Sequence, residues 1–198
     1  MSVNPATYQT PFAADLLRCV FDPVGYDLVA VWGGVGTGKS YAIAQTAYAV
    51  AIARPGCSIL IAAKNGNTLT AVLKRRCDRV FGKRAQWRGD PKFPRYEFPN
   101  GSVIEFRPYQ CFGTSDEADN SWEGRDYHLL MCDEVEQLPD TVFTHSFDRC
   151  RLDAVDAAGI TRPPTVVWIG RPGAVDHYMR AAAKFEQGNE HVPGRRVA

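Results

Sequence analysis

Short, continuously apolar runs recur along the chain, and stretches with helical periodicity separate most of them. Runs of this length, bounded by turn-forming residues, are typical of strands buried on both faces of a parallel sheet. We predict strands at about Leu28 to Trp32, Ser58 to Ala63, 127–132 and Thr165 to Ile169. We predict helices at about Lys39 to Ala53, Thr68 to Phe81, Val142 to Leu152 and Ala174 to Glu186.

One segment has a different pattern. Between Pro94 and Tyr109, apolar and polar residues alternate on either side of Pro99-Asn100-Gly101. A period of two around such a turn predicts a β-hairpin, which we expect at the sheet's edge or protruding from it. The elements together predict one α/β domain: a mostly parallel sheet flanked by helices, with an inserted β-hairpin.

The first predicted strand leads into a glycine-rich segment that a helix follows. The phosphate-loop pattern G-x-x-x-x-G-K-[ST] is matched by Gly33, Gly34, Val35, Gly36, Thr37, Gly38, Lys39 and Ser40. In such a loop the backbone N–H groups surround nucleotide phosphates, Lys39 reaches the β- and γ-phosphates, and Ser40 binds Mg²⁺. The alternative is an ordinary glycine-rich turn, which does not require the Lys39-Ser40 pair. The segment therefore predicts an ATP site with Mg²⁺.

A second motif lies at the end of the strand predicted over 127–132. Asp133 follows this apolar run, where a Walker-B acid binds the Mg²⁺ shell, and Glu134 beside it is placed to act as general base. The alternative is that both residues cap the next helix. Because a phosphate loop precedes them, we interpret the pair as the machinery of ATP hydrolysis.

Composition and net charge limit which partners and which cellular compartment can be expected. The formal net charge of the 198 residues is +1, so binding of nucleic acid would require a local basic patch. The 6 cysteines show no metal-ligand spacing and are predicted to be reduced thiols. The sequence has no apolar run long enough to span a membrane and no signal-peptide pattern at its N-terminus, so we expect a soluble protein in the host cytoplasm.

These motifs, in this order, resemble those of the N-terminal ATPase domain of a bacteriophage terminase large subunit, a P-loop NTPase of the RecA/ASCE-like class. Besides the phosphate loop and Asp133-Glu134, the resemblance rests on Tyr8-Gln9, Ile59 to Asn65, Ser121 to Asp126 and Trp168 to Pro172. The last segment resembles the family's coupling motif. Ile169 and Arg171 stand where the family usually has threonine and asparagine.

The resemblance implies an ATP-hydrolysing motor domain that drives double-stranded viral DNA into a procapsid. It implies that Gln9 recognises adenine, that residues 1–26 form the adenine-motif region, that 27–173 form the core and that 174–198 begin a lid or linker. Its implied partners are double-stranded DNA, a portal protein, a small terminase subunit and further copies in a ring. We predict no nuclease domain within these residues.

A basic segment supplies a candidate DNA-binding surface. Its principal members are Lys74, Arg75, Arg76, Arg79, Lys83 and Arg84, and aromatic residues are interleaved with the cations that follow. Such clusters bind phosphate backbones without reading bases, which suits a motor that must grip any sequence. The alternative is a solvated helix face with a basic loop.

One arginine is expected to complete a neighbour's site in the ring by stabilising charge on the transferring phosphate. Arg125 is the leading candidate because it precedes the Walker-B strand. Arg149, Arg151 and Arg171 are the others, and Arg125 could instead pair with Asp126 or Glu123.

Two other functions stay open. A helicase-type or other nucleic-acid-dependent ATPase would share both Walker motifs. A non-hydrolysing nucleotide-binding assembly module would not need the base Glu134.

Overall fold

The computed structural model describes residues 11–22, 25, 27–64, 66, 68–91, 93–108, 125–137 and 146–171. Its helices are α1 (Pro11–Val20), α2 (Lys39–Ala53) and α3 (Arg75–Phe81). Its strands are β1 (Leu28–Trp32), β2 (Ser58–Ala63), β3 (Gln86–Arg88), β4 (Arg95–Glu97), β5 (Val103–Pro108), β6 (Leu129–Asp133), β7 (Ala154–Val155), β8 (Thr161–Arg162) and β9 (Thr165–Gly170).

Seven of these strands form one sheet in the order β1-β9-β6-β2-β5-β4-β3, and β7 pairs with β8 alone. The pairs between β1, β9, β6, β2 and β5 are all parallel, whereas β5-β4 and β4-β3 are antiparallel. The predicted α/β fold with a mostly parallel sheet is therefore confirmed. Every residue of β6 and of β9 is buried, which explains why both strands are apolar except for Asp133 at the end of β6 and Thr165 at the start of β9.

The predicted hairpin is β4 and β5, joined through Asn100-Gly101, with Tyr96 opposite Ile104. The hairpin lies at the edge of the sheet, which is one of the two positions predicted for it. Its second strand also pairs in parallel with β2, so the hairpin extends the main sheet. Strand β3, which the sequence pattern did not reveal, continues this edge by pairing with β4.

The core lies between one sheet face and the three helices. Alternate strand residues such as Ile59, Ile61 and Met131 point toward α1, α2 and α3 and are fully buried. Aromatic rings close this layer at the hairpin end: Phe81 of α3 lies 4.8 Å from Tyr96 and 5.5 Å from Phe98, measured between ring centroids. These contacts fix α3 against the hairpin.

Two predicted helices differ in detail from the structure. The segment predicted as one helix over Thr68 to Phe81 begins as a π-helix, Thr68–Lys74, and becomes α-helical only at Arg75. The helix predicted to end at Leu152 has helical geometry only over 146–149 among the described residues. It stops there because Arg151 and Leu152 donate their backbone N–H groups to the carbonyl of Tyr127.

Several predicted features lie outside the described residues: Gln9, Ser121 to Gly124, residues 142–145 of the helix predicted from Val142, and the tail from Pro172 onward, including the predicted helix at Ala174 to Glu186. No helix in the described part of the chain is long and apolar enough to cross a membrane.

Candidate nucleotide site

The phosphate-loop residues connect β1 to α2 at the carboxyl edge of the parallel strands. Gly33 donates its N–H to the carbonyl of Gly170 at the end of β9, at 3.1 Å, which ties the loop to the sheet. Gly36 and Gly38 have φ angles of 81° and 87°. Because side chains rarely tolerate this left-handed region, glycine is required at both positions for the loop to turn into α2. The pattern of glycines in the sequence thus follows from the loop's backbone.

Lys39 begins α2 and folds back over the loop. Its Nζ donates to the carbonyl oxygens of Gly33, at 2.5 Å, and of Gly34, at 2.7 Å. Thr37 adds a hydrogen bond from its hydroxyl to the carbonyl of Gly34, at 3.0 Å. The ammonium group therefore lies in the loop that would surround phosphates, held by neutral acceptors that an anion can replace.

Ser40 and Asp133 meet across the site. The Ser40 hydroxyl donates to Oδ2 of Asp133 at 3.4 Å, although the two residues come from α2 and from the end of β6. Asp133 is 4% exposed. Its burial, together with the neighbouring charge of Glu134, raises the pKa of the Asp133 carboxyl to about 6. A desolvated carboxylate beside a hydroxyl is a favourable place for a cation.

The oxygen ligands at this site suit Mg²⁺ better than a metal ion that takes all of its ligands from the protein. Among the described residues, no group of three or more His, Cys, Asp or Glu side chains could hold a metal ion. Mg²⁺ is usually bound by one or two protein oxygens, with the remaining positions taken by water and substrate phosphates. Ser40 and Asp133 fit that requirement.

Glu134 follows Asp133 in an unusual backbone conformation, with φ of 56°. A non-glycine residue held there costs on the order of 1–3 kcal/mol, and such conformations cluster at functional sites. Its backbone N–H donates to Oδ1 of Asp133 at 3.0 Å. This turn places both Asp133 and Glu134 on the wall of the same pocket.

Arg171 and Glu136 complete this wall. The Arg171 guanidinium lies 3.4 Å from Oε1 of Glu134 and 3.6 Å from Oε1 of Glu136, and its backbone N–H donates to Oε2 of Glu136 at 3.2 Å. Arg171 is predicted from the sequence as an atypical residue of the coupling segment and as a candidate for the arginine acting in a neighbour's site, whereas no sequence pattern predicts Glu136. The only available signal for Glu136 was its position two residues after Glu134 in the loop that follows β6.

The resulting cleft has a volume of about 220 Å³. Its lining comprises residues 35–41 from the loop and the start of α2, the acidic residues at and just after the end of β6, Gly170 and Arg171 at the end of β9, and Arg76 of α3. The structure therefore brings Lys39, Ser40, Asp133 and Glu134 together, as the two motifs predict.

Arg125 lies away from this cleft. It forms an ion pair with Glu105 of β5, and its guanidinium carbon lies 4.1 Å from the ring centroid of Phe93. Tyr127 donates its hydroxyl to the same Glu105 carboxylate at 2.9 Å. Asp126, one of the two partners considered for Arg125, instead pairs with Arg151 at 2.7 Å.

The predicted DNA-binding residues separate into three environments. Arg75, Arg79, Lys83 and Arg84 are exposed. Lys74 is paired with Asp78 at 2.8 Å, and its Nζ lies 4.9 Å from the ring centroid of Trp87. Arg76 lines the cleft described above. The basic segment is therefore not one surface.

Comparison with known proteins finds similarity at the level of structure. No protein-family model and no curated protein matches the sequence. The crystal structure of the HK97 bacteriophage large terminase is similar over 96% of this chain and 39% of its own, with 15% identity and a TM-score of 0.65. A large terminase from a thermophilic bacteriophage matches over 90% of this chain and 43% of its own, with 16% identity and a TM-score of 0.64.

A further structure of the thermophilic phage's large terminase, in complex with ATP-gamma-S, matches over 81% of this chain and 37% of its own, with 11% identity and a TM-score of 0.60. The chain thus spans less than half the length of the terminases it matches. At such identities the likeness concerns the fold. The chain therefore has the α/β fold of the matched part of phage large terminases, the family that its motifs resemble.

Proposed function

We propose that this protein hydrolyses ATP with Mg²⁺. The observation that carries the proposal is the convergence of Lys39 and Ser40, from the start of α2, with Asp133 and Glu134, from the end of β6, in one cleft. A cation, a hydroxyl and two adjacent carboxylates around a glycine loop are the groups that phosphoryl transfer to water requires. The large terminase of the thermophilic phage has been solved in complex with ATP-gamma-S, which supports nucleotide binding on this fold.

The chemistry divides among the residues as follows. The loop N–H groups and Lys39 bind the phosphates, and Lys39 exchanges its carbonyl partners for them. Ser40 and Asp133 would hold Mg²⁺, which when bound neutralises charge on the phosphates. Glu134 accepts a proton from the attacking water, because its turned backbone directs it into the cleft beside Asp133.

We further propose that this ATPase is the motor domain of a DNA-packaging terminase and drives double-stranded DNA into a procapsid. The fold shared with phage large terminases, together with the phosphate loop and Asp133-Glu134, supports this assignment. The partners it implies are double-stranded DNA, a portal protein, a small terminase subunit and further copies of this chain in a ring. Its setting would be the host cytoplasm.

Two substitutions test the ATPase. Lys39→Ala removes the phosphate-binding ammonium group, and we expect it to abolish binding of ATP measured by calorimetry. Glu134→Gln keeps the shape of the base but not its function, so we expect retained binding and a loss of turnover of about 10²-fold or more.

The matched control is Glu97→Gln, which replaces a carboxylate of β4 that pairs with Arg88 of β3 and with Arg95. It should leave turnover unchanged. Undiminished hydrolysis by Glu134→Gln would show that Glu134 is not the base. Binding of ATP by Lys39→Ala at wild-type strength would contradict the phosphate site itself.

A further inference from the structure

Arg76 occupies a distinctive position in the basic segment. It is the second residue of α3, and it lines the phosphate cleft together with the loop and the carboxylates that follow β6. The neighbouring cations Arg75 and Arg79 on the same helix are exposed, whereas Arg76 is half-buried. The helix thus directs one arginine into the cleft and two toward solvent.

The charges in the cleft show that Arg76 is available to a ligand. Lys39 is engaged by the loop carbonyls, and the Arg171 guanidinium lies between Glu134 and Glu136. For the Arg76 guanidinium, the described residues provide neither a hydrogen-bond acceptor nor an ion-pair partner. A half-buried guanidinium without a counter-ion is well suited to a ligand anion, and phosphate is the anion whose oxygens its planar donor set matches.

The sheet order indicates which phosphate it would reach. The loop follows β1, and the strands then run β9, β6 and β2 across the sheet. A triphosphate therefore extends from the loop toward β6, where Asp133 and Glu134 mark the reacting end. Helix α3 packs against β4, where the Tyr96 hydroxyl donates to Oδ1 of Asp78 at 2.5 Å, and β4 lies on the far side of β6 from the loop. Arg76 consequently approaches from the terminal-phosphate end of the cleft.

We propose that Arg76 binds the terminal phosphate of a nucleoside triphosphate in its own chain and so distinguishes triphosphate from diphosphate. This inference rests on the proposed ATP site and assigns that site a further binding residue. It also removes Arg76 from the DNA-binding set. One short helix would then carry a nucleotide contact on one side and exposed cations on the other.

The test compares two nucleotides. Calorimetry with Mg²⁺ measures dissociation constants of the 198-residue chain for ATPγS and for ADP. We expect Arg76→Ala to weaken ATPγS binding about 10- to 100-fold, the range for loss of a charge-assisted hydrogen bond, and ADP binding less than about threefold. Arg76→Lys should recover part of the ATPγS affinity, since it keeps the charge but not the planar donor pair.

Arg75→Ala is the matched control, because it removes the same charge from the adjacent, exposed position on α3. It should leave the ratio of the two dissociation constants unchanged. Equal weakening of ATPγS and ADP by Arg76→Ala, or no weakening, would overturn the inference. If the wild-type chain binds neither nucleotide, the proposed ATP site fails and the inference fails with it. If the wild-type chain binds both and Lys39→Ala binds neither, only the role of Arg76 is at stake.

Discussion

At the residue scale, opposite charges face each other within the cleft. Glu134 and Glu136 face the Arg171 guanidinium, and Lys39 is held by backbone carbonyls. Asp133 is different, because it is almost fully buried and lies beside the negative charge of Glu134. These two effects outweigh the nearby Lys39 charge and the hydrogen bonds that Asp133 accepts from the Ser40 hydroxyl and from a backbone N–H. Its burial therefore favours the neutral form, which accounts for the raised pKa.

Because this carboxyl is buried, we predict that its ionisation lowers the free energy of unfolding, so that stability depends on pH. The pKa of Asp133 is raised from 3.8 to about 6, so the folded state binds its proton more tightly than the unfolded state does. The free energy of unfolding should fall as pH rises from about 4 to about 6, and should stay lower above that range. Asp133→Asn should therefore stabilise the nucleotide-free protein at about pH 8 by about 2 to 3 kcal/mol, and by much less at about pH 4.

Urea unfolding at both pH values measures the effect. Asp15→Asn, which removes an exposed carboxylate on α1, is the control and should change stability by less than about 0.5 kcal/mol. A gain for Asp133→Asn that is the same at both pH values would contradict the electrostatic explanation.

At the scale of secondary-structure elements, α3 contributes one residue to the cleft and other residues to the exposed surface. The π-helix before it, Thr68–Lys74, is a rare geometry that is frequent at functional sites. The helix is fixed on its buried side by Phe81 against Tyr96, and the exposed Asp78 accepts a hydrogen bond from the Tyr96 hydroxyl at 2.5 Å. Arg75 and Arg79 lie one helical turn apart, so both cations project from the same exposed side.

This arrangement predicts a DNA-binding surface around Arg75 and Arg79. Replacing both with Ala should weaken binding to duplex DNA and flatten the plot of log affinity against log salt by about two units if each contacts one phosphate. Fluorescence anisotropy with labelled duplexes of two unrelated sequences measures it, and both sequences should respond alike.

The control is Arg18→Ala combined with Arg151→Ala. It removes the same charge from two exposed residues of α1 and of the loop before β7. If this variant flattens the plot as much as the first, binding reflects overall charge and the α3 surface is not a specific grip.

At the scale of the whole molecule, the second face of the sheet carries a charged cluster formed by Glu105, Arg107, Arg125 and Tyr127. Glu105 and Arg107 are 7% and 3% exposed, and Arg107 and Arg125 both lie over the ring of Phe93. In this chain Arg125 is therefore a partner of Glu105. Its role in a neighbour's site remains a prediction about the assembled ring.

Mixing inactive variants tests that prediction. Arg125→Ala keeps its own base, and Glu134→Gln keeps its arginine, so a junction between them can combine an intact base with an intact arginine. In a 1:1 mixture about one junction in four has this arrangement, and we expect about a quarter of wild-type ATP turnover under conditions where subunits assemble. Each variant alone should be inactive.

Lys39→Ala mixed with Glu134→Gln is the control for this experiment. Both changes affect one cleft of one chain, so no junction is repaired and no turnover should return. If the Arg125→Ala mixture behaves like this control, the arginine supplied in trans is not Arg125, and the same mixing identifies it among Arg149, Arg151 and Arg171.

The features that could be predicted from the sequence are those that depend on neighbours in the chain. Continuous apolar runs placed β1, β2, β6 and β9 because strands buried on both faces admit little else. The glycine spacing of the loop after β1 and the Asp133-Glu134 pair could be recognised because the proposed phosphate binding requires particular residue types at fixed local positions, and these residues line one cleft. The period-two pattern likewise revealed the hairpin.

The rest depends on contacts between residues far apart in the chain, which a linear pattern does not encode. The short strand β3 forms because β4 offers it an edge to pair with. The predicted helix does not continue to its expected end because the carbonyl of Tyr127 accepts the N–H groups of Arg151 and Leu152. The surroundings of Arg125, Arg76 and Arg171 follow from the strand order, which places β5, α3 and β9 beside particular neighbours. The sequence shows where an arginine's charge is, but the packing of the fold decides which anion that charge faces.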